Sequence, residues 1–128
     1  ALVAEELGLP FVYVRSSPKA HGLGNQIEGV IEKGQSVIVI EDLISTGKSS
    51  LVAVNALREI GCDVKGLVAI FSYGFDVASQ NFGEVNCPFH TLTNYPTLIE
   101  QAVNLGYITE KDLESIKSWR ENPANWTN

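Results

Sequence analysis

An open, mainly parallel α/β sheet with flanking helices is the fold this sequence predicts, on three observations. Short β-branched runs alternate along the chain with segments of helical period, the arrangement that βαβ units produce. One run, Val37-Ile38-Val39-Ile40, is continuously apolar, the pattern of a strand buried on both faces. The length, 128 residues, suits one domain with its own core, because a chain of that size buries about two thirds of its unfolded surface.

The elements are expected in the following order. Ala1 to Leu7 has helical period and stops at Gly8; Phe11 to Arg15, after Pro10, reads as a strand. Ser16 to Asn25 is polar and glycine-containing, long for a tight connection, and is expected to be a mobile loop. Ser36 to Glu41 is the surest strand. Lys48 to Ile60 is expected to be a helix with Leu51, Val54, Leu57 and Ile60 inward and Gly61 as its stop. Val64 to Ser72 is a further buried strand and Pro88 to Leu92 a fourth. Thr97 to Leu105 reads as a helix ended by Gly106, and Thr109-Glu110-Lys111-Asp112 resembles a capping box that opens a last helix to Trp119. Residues 1–121 form the core and residues 122–128 a frayed tail on which Trp126 is the docking candidate.

Composition narrows the function. Apolar residues at 45% and charged residues at 19% are ordinary for a globular chain and exclude disorder, and no apolar run approaches the roughly 20 residues of a membrane span. The net charge of -6 leaves no broad basic face for phosphate backbones or anionic membranes, so small-molecule partners are favoured. Cys62 and Cys87 are too few for a zinc pattern or a disulfide framework and suit a reducing cytoplasm. The chain has no methionine, where average composition gives roughly three, so Ala1 is expected to be a cut or processed start and the chain part of something longer.

The stretch Val37 to Ser50 carries the chemistry: strand, acidic pair Glu41-Asp42, hydroxyl-rich turn Ser45-Thr46-Gly47, then helix. Ligands of open α/β sheets bind just beyond the carboxyl ends of strands, where the acidic pair falls. Unpaired backbone N–H groups at the following helix start attract a phosphate, and Gly47 permits close approach. Carboxylates beside a phosphate cradle suit a phosphosugar, with ribose hydroxyls on the acids and a 5'-phosphate in the turn. The bland alternative is that Ser45, Thr46 or Ser49 merely caps the helix and the acids are solvated. A nucleotide P-loop fails, because its first glycine would fall on Asp42, whose carboxylate repels phosphates.

This stretch resembles the phosphoribosyl-pyrophosphate (PRPP) binding motif of type I phosphoribosyltransferases. Upstream, Arg15, Lys19 and His21-Gly22 are similar to the catalytic loop of the orotate phosphoribosyltransferase family, and Leu92 to Ile99 is similar to its carboxyl-terminal region. In an acidic chain three basic residues within seven positions need a local anion, and pyrophosphate is a suitable one.

The resemblance implies a type I phosphoribosyltransferase-like core without the family's amino-terminal segment. It implies transfer of the phosphoribosyl group of PRPP to orotate, giving orotidine 5'-phosphate and pyrophosphate in pyrimidine biosynthesis. Arg15, Lys19 and His21 would clamp the pyrophosphate, and with Asp42 they form the implied catalytic set. Glu41 and Asp42 would hold the ribose hydroxyls, while Leu43, Ile44, Ser45, Thr46, Gly47, Lys48 and Ser49 would hold the 5'-phosphate, Ser45 also touching orotate. Mg²⁺ would be bound mainly through PRPP and water, with no protein residue as its ligand. The implied assembly is a cytoplasmic homodimer sharing the loop between subunits, with neither nucleic acid nor membrane as partner.

Two positions depart from the family. Ser16 stands where some relatives carry a second basic residue, and Tyr73 where some present an Arg to the orotate carboxylate, a task a phenol does not perform. Competing readings are another PRPP-using transferase acting on a purine or uracil, a PRPP-sensing regulator without catalysis, and a generic phosphate-binding module.

Overall fold

The computed structural model describes residues 1–16 and 26–123. In chain order the elements are α1 (Leu2–Leu7), β1 (Tyr13–Val14), β2 (Ile27–Glu28), β3 (Ser36–Ile44) and α2 (Lys48–Glu59), followed by β4 (Asp63–Ser72), α3 (Asp76–Glu84), β5 (Phe89–Asn94), α4 (Tyr95–Asn104) and α5 (Asp112–Glu121). Strands β3, β4 and β5 form one parallel sheet in that order, and β1 pairs antiparallel with β2 in a separate two-stranded sheet. The expected Phe11–Arg15 strand is therefore confined to two residues and joins a hairpin, not the parallel sheet.

The sheet positions everything else. Consecutive parallel strands in sequential order require crossovers of one hand, which puts α2 and α3 on the same face. Ile44, Leu51, Val54, Leu57, Leu67 and Phe82 accordingly share a single core. Val37 and Val39 point into that core, whereas Ile38 and Ile40, at alternate positions, are 51% and 53% exposed. The expectation of a strand buried on both faces thus fails for β3 among the described residues: one face carries the helices, and the other leaves Ile38, Ile40, Ile70 and Leu92 open.

Helix ends follow local chemistry. Gly8, Gly61 and Gly106 follow their helices with positive φ, as expected. Helix α4 starts earlier than the expected Thr97, because the Asn94 side chain accepts from the Thr97 N–H at 3.1 Å and Pro96 is tolerated in the first turn. At the expected capping box, Asp112 Oδ2 accepts from both the Thr109 N–H (2.8 Å) and its hydroxyl (2.7 Å), which holds the Asp112 carboxyl below its ordinary pKa. Helix α5 then runs to Glu121. Both thiols are buried, and burial raises the pKa of Cys87 against the opposing charge of Arg58. Trp126 lies outside the described residues.

Helix α2 buries a narrower face than its period predicts. Leu51, Val54 and Leu57 are buried as expected, but Ile60 lies just past the helix end and is 42% exposed. Leu57→Ala should therefore cost about 2 to 5 kcal/mol in urea unfolding, and Ile60→Ala well under about 1 kcal/mol, because only the first leaves a cavity. Equal losses at the two positions would contradict this packing.

Candidate functional site

Strand β3 runs three residues past Glu41, so the acidic pair lies within the strand near its carboxyl end. Strand alternation sends the two side chains to opposite faces. Glu41 turns toward α2, where its Oε2 accepts from the hydroxyl of Ser50 at 3.0 Å and its Oε1 from the Asp42 N–H at 3.3 Å. Ser50 is buried, so this hydrogen bond fixes the Glu41 carboxylate against the helix. Asp42 is exposed, and its carboxylate has no hydrogen-bond or ion-pair partner among the described residues. One acid is thus held and the other is open to a ligand.

The turn between β3 and α2 is built around Gly47. Its φ of 77° lies in the left-handed region, and a Cβ there would come within 2.6 Å of the Phe82 ring. Both facts demand glycine. From α3, Asn81 Nδ2 donates to the Thr46 carbonyl at 2.8 Å, so the turn is pinned from two adjacent positions of one helix. Gly47 is the residue that precedes α2, and no side chain caps the helix; its first turn contains no acid either. Capping by Ser45, Thr46 or Ser49 is therefore not what these hydroxyls do. The first N–H groups of a 12-residue helix are left for an anion, with the positive dipole end behind them and Lys48 exposed beside them.

The basic residues of the upstream loop are divided. Arg15 follows β1, where its N–H donates to the Gln26 carbonyl at 2.8 Å and its own carbonyl accepts from Gln26 Nε2 at 2.9 Å. Its guanidinium pairs with Glu28 on β2, through Nε at 2.8 Å and through Nη2. Arg15 therefore closes the base of the segment that bears Lys19 and His21, and these two lie outside the described residues. The structure unites Glu41, Asp42 and Ser45 to Ser49 in one strand, turn and helix. No hydrogen bond or ion pair among the described residues links Arg15 to them. No group of three or more His, Cys, Asp or Glu among the described residues could hold a metal ion.

Sequence reasoning missed Ser50, Asn81 and Phe82, the residues that hold the site in shape. Ser50 was within reach as the position after Ser49 on the inward face of α2. Asn81 and Phe82 were not, because α3 itself was not predicted.

No family model matches the chain. The chain is 57% identical over 126 residues to the orotate phosphoribosyltransferase of Phocaeicola vulgatus, covering 98% of this chain and 59% of that one. It is equally identical, over 98% of its length and 61% of the relative's, to the enzyme of that name from Bacillus caldolyticus. The chain thus spans about three fifths of the length of these relatives. Among solved structures it superposes on orotate phosphoribosyltransferase of Aeropyrum pernix with a TM-score of 0.66 at 25% identity, covering 78% of this chain and 54% of that one. It also superposes on the Mycobacterium tuberculosis orotate phosphoribosyltransferase in complex with PRPP, with a TM-score of 0.58 at 27% identity, covering 69% and 49%. Strand, acidic pair, glycine turn and uncapped helix, together with this similarity along nearly the whole sequence, lead to one conclusion: the chain belongs to the orotate phosphoribosyltransferase family.

Proposed function

We propose that this chain supplies the PRPP-binding part of an enzyme that transfers the phosphoribosyl group of PRPP to orotate. The bond from C1' of the ribose to pyrophosphate breaks, N1 of orotate loses its proton to the departing pyrophosphate or to solvent as its bond to C1' forms, and orotidine 5'-phosphate and pyrophosphate leave. The observation that carries this reading is the uncapped start of α2, one short turn along the chain from the strand that bears the open Asp42 carboxylate. An anion site and a hydroxyl acceptor on one strand, turn and helix fit a sugar phosphate.

In this reading the N–H groups of Thr46 to Ser49 hold the 5'-phosphate, with Ser45 on the orotate side. Asp42 accepts from a ribose hydroxyl, and Glu41, oriented by Ser50, lends a second negative charge to the same strand end. Their field favours the positive charge that develops on the ribose ring, while Lys19, His21 and Arg15 take the negative charge of the departing pyrophosphate. Arg15 already shares its charge with Glu28, so Lys19 carries the larger part of that task. Mg²⁺ fits this site only as a substrate-borne ion, which oxygens of PRPP and several retained waters would hold. When bound it neutralises pyrophosphate oxygens. We further propose a cytoplasmic homodimer whose loop serves the neighbouring subunit. A purine or uracil transferase would share the strand and turn, but the relatives at 57% identity carry the orotate name.

A base-panel assay with PRPP and Mg²⁺ on the complete gene product should give turnover with orotate and not with uracil or purines; exclusive use of a purine would overturn the reading. Asp42→Asn should weaken PRPP binding about tenfold by calorimetry, since it removes a charge-assisted hydrogen bond. Unchanged affinity would remove Asp42 from the ribose site. Lys19→Ala should lower kcat more than it raises KM, because its contact strengthens as charge develops on the leaving group. A change in KM alone would reduce Lys19 to a ground-state contact.

A further inference from the structure

The hairpin that carries Arg15 is anchored on one face only. Val14 and Ile27, opposite one another in β1 and β2, pack against the core, and Val12 joins them there. Gly29 brings the returning chain close: its φ is 121°, and a Cβ on it would meet the Val12 side chain at 3.0 Å and the Phe11 carbonyl oxygen at 3.1 Å. With two residues in each strand, the hairpin owes its place to these contacts. Alternation sends the flanking positions to the other face, where Arg15 lies opposite Gln26 and diagonal to Glu28.

Glu28 meets the Arg15 guanidinium from the side. Its Oε1 accepts from Arg15 Nε at 2.8 Å and also from Nη2, so one carboxylate oxygen spans the Nε edge. A guanidinium has five N–H hydrogens, and these two bonds leave three, the pair on Nη1 and the second on Nη2, without a bond among the described residues. Together the three form the end-on fork that matches phosphate oxygens. Arg58 shows the opposite arrangement: its Nη1 and Nη2 donate to the Val85 and Asn86 carbonyls at 2.6 and 3.2 Å, which closes the end of the fork.

Stability does not account for the Arg15–Glu28 pair. The two side chains are 37% and 44% exposed, and an ion pair open to water contributes little to folding. Its effect falls on freedom instead. An unrestrained arginine has many rotamers, and fixing one of them before a ligand arrives removes part of the cost of binding.

We infer that Glu28 is a positioning residue for Arg15: it grips the side edge of the guanidinium and leaves the end-on fork for oxygens of pyrophosphate. The inference rests on the pyrophosphate-clamping role of Arg15 proposed above. Glu28 itself touches no substrate. It trades part of the charge of Arg15 for a fixed direction, which a lysine-like point charge does not need and a planar fork does.

The test compares Glu28→Ala with Glu28→Gln in the complete gene product. Both remove the same charge, but Gln keeps a carbonyl oxygen that accepts from Nε and Nη2, and Ala keeps none. KM for PRPP and the inhibition constant of inorganic pyrophosphate should each be about three- to tenfold higher in the Ala variant than in the Gln variant, with KM for orotate within about twofold in both. In an Arg15→Ala background that difference should vanish. Equal values for Ala and Gln, tighter binding by Ala, or a difference that persists without Arg15 each overturn the inference. If Glu28→Ala does not fold, Glu28→Asp decides, because it keeps the charge on a shorter arm: weaker pyrophosphate binding than wild type supports the positioning role, and wild-type binding overturns it. An Arg15→Ala enzyme with wild-type values for PRPP and pyrophosphate removes the clamp itself and the role of Glu28 with it. Failure of the transferase reading shows separately, as absence of turnover by the unsubstituted enzyme with PRPP and orotate, and overturns both.

Discussion

The close contact of Gly47 with the Phe82 ring is the constraint on which the site rests. A Cβ at position 47 would stand 2.6 Å from Phe82 Cε2, and the φ of 77° is one that side chains avoid. Only glycine lets β3 end, turn and re-enter α2 within three residues while Phe82 stays in the core, 2% exposed. Asn81, the neighbour of Phe82 on α3, adds its bond to the Thr46 carbonyl. Core packing and turn shape are therefore one problem: α3 fills the core with one residue and holds the turn with the next. The first N–H groups of α2 are presented outward as a result, not plugged by a side chain.

Charge is arranged on that frame with economy. In a chain of net charge -6, anion binding depends on local fields, and an uncapped helix start provides one without a basic cluster. The two adjacent acids would repel a phosphate if both faced it. Alternation along β3 separates them, and Ser50 draws Glu41 toward the helix, so that only Asp42 is left open at the surface. The geometry explains how an acidic pair and an anion cradle coexist within nine positions of sequence.

Much of this was legible in the sequence, for reasons of period. The apolar run of β3, the 3.6-residue spacing of Leu51, Val54 and Leu57, and the glycine stops each fix the type of element they belong to. What escaped has physical causes. Helix α3 spans nine mostly polar residues and buries only Ala78 and Phe82, too few to set a period. Strand β2 is two residues long, and its existence depends on pairing with β1. The apolar run of β3 suggested two covered faces, yet sequential crossovers place α2 and α3 on one side, a consequence of topology that residues 37 to 40 do not encode. The site divides the same way: the acids, turn and glycine were visible as a local string. Their supports, Ser50, Asn81 and Phe82, come from helices brought together only by the fold.

The central claim is that backbone N–H groups at the start of α2, not a cluster of basic side chains, make the phosphate site. It is tested most directly by following the amide resonances of the ¹⁵N-labelled protein as PRPP is added. The account predicts that the amides of Thr46, Gly47, Lys48 and Ser49 move first and furthest, with Asp42 among the next. Saturable binding that leaves those four amides in place while resonances elsewhere shift would contradict it.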